Sequence, residues 1–158
     1  MAKVVIIMGP KSDLEWSIRI AEALDGFGIR SALRVASAHK VPLKCYELIK
    51  EYEKKEDVVF IPAAGRSNAL SGFTDAQTYC PVIACPPYSD KFAGTDIYPS
   101  LRMPSGVAVM VVLEPENADL AAAKILSLRD ERIQEKVKEY QNKIKEALEK
   151  DDKEVQNG

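Results

Sequence analysis

The stretch Val4-Val5-Ile6-Ile7-Met8-Gly9-Pro10 decides the fold of this chain. Five apolar residues stand in a row, most of them β-branched, and a Gly-Pro pair ends the run. A strand that is apolar on both faces is typical of a parallel sheet with helices on each side. The stretch therefore predicts the first strand of an α/β domain.

Strands and helices alternate along the chain after this first strand. Further apolar runs predict four more strands, at 30–36, 58–62, 81–84 and 106–113. Apolar residues at helical spacing predict helices after Asp13, from Pro42 and over 116–128. The helix from Pro42 is expected to bury Leu43, Tyr46, Ile49 and Tyr52. We therefore predict a three-layer α/β fold with a parallel sheet, flavodoxin-like or Rossmann-like, in a single domain.

The segment 129–158 is rich in charge and differs from the α/β part, which we assign to 1–128. Its apolar residues form one thin stripe, made of Ile133, Val137, Tyr140, Ile144 and Leu148. This pattern predicts a C-terminal helix that lies across its own domain or a neighbouring subunit. We expect the last residues, 151–158, to be a frayed tail.

Composition excludes several classes of function. The 158 residues suffice for about one domain. Lys and Arg number 22 against 24 Asp and Glu, so the net charge of −2 provides no basic field for nucleic acid or a membrane surface. The first apolar run is far too short to span a bilayer, and it lacks a secretion-signal pattern. With an odd number of cysteines, three, we predict a cytoplasmic protein with reduced thiols.

Polar loops are expected where such a sheet binds its ligands, beyond the carboxyl ends of the strands. The segments that follow the first four predicted strands are rich in small, polar and charged residues; they are 9–13, 37–40, 64–68 and 85–90. The last of them opens an irregular stretch, 85–102, and a loop of that length in a compact domain is usually functional or packs on a partner.

His39 is the only histidine of the chain. It stands beside Lys40, close to the start of the helix predicted from Pro42. Histidine is the usual general acid or base near neutral pH, so His39 is a candidate for proton transfer. The alternative is a structural or merely exposed histidine.

Gly9, Ser12 and Asp13 lie where the first strand meets the first helix. Backbone N–H groups at such a helix start can bind a phosphate. The segment lacks the glycine pattern of a Walker loop or of a dinucleotide fingerprint. Ser12 or Asp13 capping the helix is the alternative, and Asp13 could also accept hydrogen bonds from ribose hydroxyls.

The segment that follows the third strand offers a second anion-binding loop. Gly65 lets the backbone approach a ligand closely, and Arg66 can grip a carboxylate or phosphate. Alternatively, Ser67 or Asn68 caps the next helix. The cysteines fit no zinc spacing, so we predict that Cys45, Cys80 and Cys85 are buried thiols and that the chain has no metal site.

Taken together, these segments resemble the aminoimidazole ribonucleotide (AIR) carboxylase family of purine biosynthesis. The resemblance is carried by Met8-Gly9 with Ser12-Asp13, Ser37-Ala38-His39-Lys40, Ala64-Gly65-Arg66-Ser67-Asn68 and Met103-Pro104-Ser105-Gly106. It runs from about Lys3 to Leu128. Pro10 departs from the serine that the family usually has after Met-Gly. Because proline has neither a hydroxyl nor an N–H, one phosphate contact is missing here or is made by another residue, such as Lys11 or Ser12.

The family has two branches, and two positions of this chain separate them. The branch that isomerises N-carboxyaminoimidazole ribonucleotide usually has Ser-Ala-His-Arg and a second histidine in a Gly-Gly-Ala-Ala-His segment. Here Lys40 and Ala69 stand at those positions. The chain is therefore more similar to the branch that carboxylates AIR directly with CO2.

The resemblance implies a role for each candidate residue. His39 would move the proton at the ring carbon, and Lys40 would stabilise the carboxylate. The pocket for CO2 and the ring would be formed by Ser37, Ala38, Gly65, Arg66, Ser67 and Asn68. Phosphate and ribose would be held by Gly9, Ser12 and Asp13. No cofactor is implied, whether ATP, biotin or metal, and the chain would form a homo-oligomer, commonly an octamer, with sites at subunit interfaces.

Two alternatives remain at this point. The first is the N-carboxyaminoimidazole ribonucleotide mutase on the same fold, which Lys40 and Ala69 disfavour. The second is a nucleotide-binding module without catalysis, since a fold alone does not determine a function. Such a module would leave the single histidine unexplained.

Overall fold

The computed structural model describes residues 3–157 and has five strands and six α-helices in this range. The strands are β1 (Val4–Met8), β2 (Ser31–Val35), β3 (Val59–Ala63), β4 (Ile83–Ala84) and β5 (Met110–Val111). The helices are α1 (Leu14–Gly26), α2 (Pro42–Tyr52), α3 (Ala69–Ala76), α4 (Tyr98–Leu101), α5 (Pro115–Leu126) and α6 (Glu131–Asn157). Three short 3-10 helices, Lys11–Asp13, Asp90–Phe92 and Thr95–Ile97, lie in the connections.

All strands of the described range pair in parallel, in the order β2-β1-β3-β4-β5. Met8 is in register with Val35 and with Ala63, so β1, β2 and β3 end together. The sheet continues from β3 to β4, because the Cys85 N–H donates to the Pro62 carbonyl at 3.0 Å. The parallel α/β fold predicted from the sequence is confirmed.

Two apolar layers cover the two faces of the sheet, as expected for continuous apolar strands. On one face, Val4 and Ile6 pack with α1, α5 and the start of α6. On the other face, Val5 and Ile7 pack with α2 and α3. Successive residues of β1 point to opposite faces, so one short strand contributes to both cores. The fold therefore has the three layers that the sequence predicts.

The buried face of α2 differs from the prediction at two of its four residues, whereas Ile49 and Tyr52 are buried as predicted. Leu43 is 78% exposed and Tyr46 is exposed too, whereas Cys45 and Leu48 are buried. The residues predicted to be buried are each three positions apart. Because a helix turns 100° per residue, the residues on one of its faces are spaced by three and four positions in turn. Two strands are also shorter than predicted: β4 and β5 have only two residues each.

Only the first part of α6 belongs to the core. Ile133 and Val137 are buried, and Tyr140 meets the Phe27 ring edge-on at 5.4 Å. Ile144 and Leu148 are exposed. The stripe predicted from the sequence therefore packs on its own domain at one end, and its contact with a neighbouring subunit stays a prediction.

The frayed tail predicted for 151–158 is wrong over the described residues, because α6 continues to Asn157. The segment 151–157 has no glycine or proline, and Lys150 pairs with Glu154 at 3.7 Å one helical turn away. Gly158 lies outside the described residues.

All three cysteines are buried and unpaired, which confirms the prediction of buried thiols. Burial raises the pKa of Cys45 to about 11 and that of Cys85 to about 12. Within 3–157, no three His, Cys, Asp or Glu side chains are grouped so that they could hold a metal ion. No helix in that range is both long and apolar enough to cross a membrane.

Asp119 of α5 should make stability depend on pH. The residue is buried, and its Oδ1 has no hydrogen-bond partner among the described residues. Burial, and to a lesser degree the charge of Glu116, raises the pKa of Asp119 to about 6. Because an unfolded aspartate has a pKa of about 3.9, folding favours the protonated form. The contribution of Asp119 to stability therefore falls as pH rises from about 4 to about 6.

We expect Asp119→Asn to raise the melting temperature at pH 7.5 and to change it much less at pH 4, where the wild-type side chain is already neutral in the folded protein. Thermal unfolding at both pH values measures this difference. Asp151→Asn, on the exposed end of α6, is the matched control and should change neither value. An equal gain for Asp119→Asn at both pH values would contradict the assignment.

Candidate active site

Four loops meet at the carboxyl edge of the sheet, as the strand register requires. The loop after β1 begins at Gly9, the loop after β2 at Ala36 and the loop after β3 at Ala64. The Ala36 N–H donates to the Met8 carbonyl at 2.9 Å, which fixes the first two loops side by side. The segment after β4 begins at Cys85 on the far side of β3. The sequence-predicted loops therefore share one edge of the molecule.

A tight turn carries His39. The Ser37 hydroxyl accepts a hydrogen bond from the Lys40 N–H at 3.2 Å, and the Ser37 carbonyl accepts one from the Val41 N–H at 2.9 Å. α2 begins directly afterwards, with Pro42 in its first turn. His39 and Lys40 are exposed, and Ala38 packs partly against the core. Ser37 therefore holds the turn that presents the histidine.

The loops after β1 and β3 approach each other through Asp13 and Arg66. Burial raises the pKa of Asp13, and the nearby Arg66 guanidinium partly offsets this effect. Ser12 and Lys11 are exposed, and Gly9 is half-buried. Asp13 therefore places a partly buried carboxyl beside a cation at the carboxyl edge of the sheet.

The capping alternative is wrong for Asp13. The side chain of Asp13 makes no capping hydrogen bond, and the short 3-10 helix that ends at Asp13 leads directly into α1. The Asp13 main-chain carbonyl instead accepts a hydrogen bond from the Ser17 hydroxyl at 2.9 Å. The carboxyl thus remains available at the loop, as a ribose-binding role would need.

The loop after β3 makes a close backbone contact that requires glycine at position 65. A Cβ atom on Gly65 would lie 2.5 Å from the Pro87 carbonyl oxygen, so only glycine lets these two loops touch. Arg66 has a left-handed backbone, with φ of 59°, and its side chain is exposed next to Ser67. Gly65 therefore brings the 85–90 segment against the Arg66 loop.

Asn68 is a structural residue of this loop. It begins α3, where its Oδ1 accepts hydrogen bonds from the Ser71 N–H at 3.2 Å and the Ser71 hydroxyl at 2.9 Å. Its Nδ2 donates to the Ser100 hydroxyl of α4 at 2.6 Å. The capping alternative is therefore correct for Asn68, whose buried amide ties the loop after β3 to the long 85–102 stretch.

Comparisons with known proteins agree on one family. The AIR carboxylase family model matches residues 3–147. The chain is 61% identical over 153 residues to phosphoribosylaminoimidazole carboxylase of Archaeoglobus fulgidus, covering 97% of this chain and 84% of that protein. This chain belongs to the AIR carboxylase family.

Two further relatives agree with this family assignment. Phosphoribosylaminoimidazole carboxylase of Treponema denticola is 49% identical over 150 residues, covering 94% of each chain. The crystal structure of Treponema denticola PurE superposes with a TM-score of 0.93 at 48% identity, covering 96% of this chain and 97% of that chain. The flavodoxin-like architecture of the family is thus shown for this chain.

Trp16 is a residue of the site that the motifs of the AIR carboxylase family did not indicate. Its indole Nε1 donates to the Cys85 carbonyl at 2.9 Å, and its ring meets the Tyr88 ring edge-on at 6.3 Å. The hydrogen bond joins α1 to the 85–90 segment, which Gly65 also touches at Pro87. The only tryptophan of the chain, just after a candidate loop, was the available signal.

We expect Trp16→Phe to lower the free energy of unfolding by about 1–3 kcal/mol, because the buried Cys85 carbonyl loses its donor. Amide hydrogen exchange over 85–90 should become faster. Tyr79→Phe is the matched control, since it also removes one side-chain hydrogen bond to a main-chain carbonyl, that of Glu53, but at an exposed position. Unchanged exchange over 85–90 in Trp16→Phe would contradict an anchoring role.

The side chains of His39 and Lys40 do not contact the other loops through hydrogen bonds or ion pairs in the described part of the chain. The structure thus brings Asp13 to Arg66 and the 85–90 segment to Gly65, and it places the histidine turn at the same edge without a direct contact. The roles assigned to these residues stay predictions.

Proposed function

We propose that this chain carboxylates 5-aminoimidazole ribonucleotide with CO2, reversibly, to give 4-carboxyaminoimidazole ribonucleotide in purine biosynthesis. The observation that carries the proposal is the turn of Ser37 to Val41, which presents the single histidine of an AIR carboxylase family member at the ligand-binding edge of the sheet. Lys40 and Ala69 favour direct use of CO2 over isomerisation of the N-carboxylated nucleotide.

The chemistry asks little of the protein beyond positioning and proton transfer. The aminoimidazole ring is electron-rich and behaves as an enamine, so its C4 attacks the carbon of CO2. A C–C bond forms, one C–O π pair moves onto oxygen, and the C4 proton then leaves to restore the aromatic ring. We assign that proton to the His39 imidazole, which returns it to C4 in the decarboxylation direction.

The other loops bind the two ends of the substrate in this proposal. Lys40 stabilises the carboxylate as charge develops on it, an effect that is greatest where water is excluded. The ring and carboxylate face the loop after β3 and the histidine turn, whose residues in this role are Ser37, Ala38, Gly65, Arg66 and Ser67. Asn68 acts through its capping bonds as a positioning residue. Gly9, Ser12 and Asp13 bind phosphate and ribose.

Oligomerisation belongs to the same proposal. His39 and Lys40 are exposed in the single chain, whereas electrostatic catalysis needs a covered site. We propose a homo-oligomer, an octamer, in which a neighbouring subunit closes the site over the histidine turn. The exposed stripe of Ile144 and Leu148 on α6 is available for such a contact. We also propose that the protein acts in the cytoplasm and without a cofactor.

A two-substrate assay tests the proposal. Purified protein receives AIR with bicarbonate and CO2, or the N-carboxylated nucleotide in CO2-depleted buffer, both without ATP, and ultraviolet absorbance follows the product. We expect rapid carboxylation of AIR and no use of the second substrate beyond its spontaneous breakdown. Preference for the second substrate would establish the mutase. Nucleotide binding without either reaction, in the wild type and in Pro10→Ser, would establish a non-catalytic module.

A further inference from the structure

A cavity lies at the end of the sheet opposite the candidate active site. Its volume is about 430 Å³, and its lining includes Lys3, directly before β1, and Arg30, directly before β2. The strands between this edge and the candidate active site are five residues long, or about 16 Å. The cavity is therefore separate from the loops that hold the candidate catalytic residues.

The floor of this cavity is apolar. Phe27, Ile29 and Ile133 line it, and all three belong to the hydrophobic core between the sheet, α1 and α6. Their side chains are almost fully buried, so the floor is held in place by the packing of the domain. The volume falls within the range of about 300–1,000 Å³ that small-molecule sites occupy.

The rim is strongly basic. Four cationic side chains line the cavity, those of Lys3, Arg30, Arg132 and Lys136, against the single carboxylate of Asp130. Asp130 is 3.1 Å from Arg132 and 3.6 Å from Lys3. The lining therefore carries a local excess of positive charge, although the whole chain has a net charge of −2.

Two of the cations have no acidic partner in the described part of the chain. Neither Arg30 nor Lys136 forms an ion pair there. Lys3 has a second acidic neighbour, Asp57, at 4.0 Å, but Asp57 does not line the cavity and also pairs with Arg129 at 3.4 Å. The positive charge at the rim is thus only partly neutralised by the protein itself. A bound anion would neutralise the remaining positive charge.

One of these cations, the Lys136 ammonium, lies close to Gly28. A Cβ atom at this position would lie 2.8 Å from the Lys136 Nζ, and the backbone φ of 70° also favours glycine. The Lys136 ammonium consequently lies directly over the backbone that leads from α1 into β2. Gly28, Arg30 and Lys136 all line the cavity.

We propose that this basic cavity binds a small phosphate monoester at a second site, apart from the candidate active site. The phosphate contacts Arg30 and Lys136, the two lining cations that have no acidic partner among the described residues. The site is independent of the carboxylation chemistry proposed above.

The test measures binding of adenosine 5′-monophosphate to the full chain by calorimetry. A Ser12→Glu variant, which repels phosphate from the candidate active site, isolates the second site. In this background we expect Lys136→Glu and Arg30→Glu each to weaken binding by about tenfold or more, and adenosine without phosphate to bind at least about tenfold more weakly. Lys145→Glu is the control, with the same charge change on an exposed part of α6.

The outcomes separate the two sites. Retained binding in Ser12→Glu, weakened by Lys136→Glu and not by Lys145→Glu, supports the basic cavity. Loss of all binding in Ser12→Glu alone, or equal affinities of the two lysine variants, would overturn it while leaving the proposed carboxylase intact. Arg30→Glu provides the same comparison from β2 should Lys136→Glu fail to fold, and circular dichroism monitors folding.

Discussion

We expect His39→Asn to lower the rate of AIR carboxylation by a factor of about 10²–10⁴, the range that general acid or base catalysis contributes. Asparagine can keep a hydrogen bond at this position but cannot accept and return the C4 proton. The same loss is expected for decarboxylation, because both directions pass through the same proton transfer. Initial rates at saturating nucleotide and CO2 measure the effect.

The position of His39 lets this experiment separate a loss of proton transfer from a loss of stability. The side chain is exposed on its turn, and the turn is closed by the Ser37 hydroxyl and main-chain carbonyl rather than by the imidazole. We therefore expect the free energy of unfolding to change by less than about 0.5 kcal/mol and nucleotide binding to persist. Lys44→Asn, exposed on α2, is the control. A His39→Asn rate close to that of this control would refute the assigned proton transfer.

A second large loss is expected from Gly65→Ala. The added Cβ would lie 2.5 Å from the Pro87 carbonyl oxygen and 3.5 Å from its carbonyl carbon, and backbone cannot give way as a flexible side chain can. The 85–90 segment must shift, against its hydrogen bond to Trp16. Since a misplacement of about 1 Å can cost on the order of 10²-fold in rate, we expect a loss of that size.

Overpacking should also cost stability, about 1–3 kcal/mol in the free energy of unfolding. Carboxylation rates and chemical unfolding of the same preparation measure both effects. Gly26→Ala is the matched control, because nothing lies within 4 Å of a Cβ at this last residue of α1. Wild-type activity in Gly65→Ala would show that the contact between the two loops does not matter for catalysis.

The sequence predicts the sheet and the position of the loops well, because both depend on local patterns. The β-branched run that became β1 is buried on both faces, and its register with β2 and β3 brings the polar loops to one edge. The Ser-Ala-His and Gly-Arg-Ser-Asn segments closely follow β2 and β3, so they lie at that edge. The apolar pattern and the parallel direction of the strands are enough to predict this placement.

Contacts between distant segments could not be predicted in this way. Trp16 and Cys85 are 69 residues apart, and Asn68 reaches Ser100 across 32 residues. Nothing local in the chain indicates these pairs. The face of α2 was missed for another reason: the predicted stripe stepped by three residues throughout, so Leu43 and Tyr46 fall off the face that the helix buries.

The buried cysteines allow transient unfolding of the native protein to be measured by thiol labelling. With pKa values of about 11 and about 12, Cys45 and Cys85 carry almost no thiolate at neutral pH, and packing denies reagents access to them. Alkylation therefore proceeds only from molecules that have transiently unfolded. A time course of thiol labelling on the native protein would report the rate or the equilibrium of that opening, without denaturant and without an introduced probe.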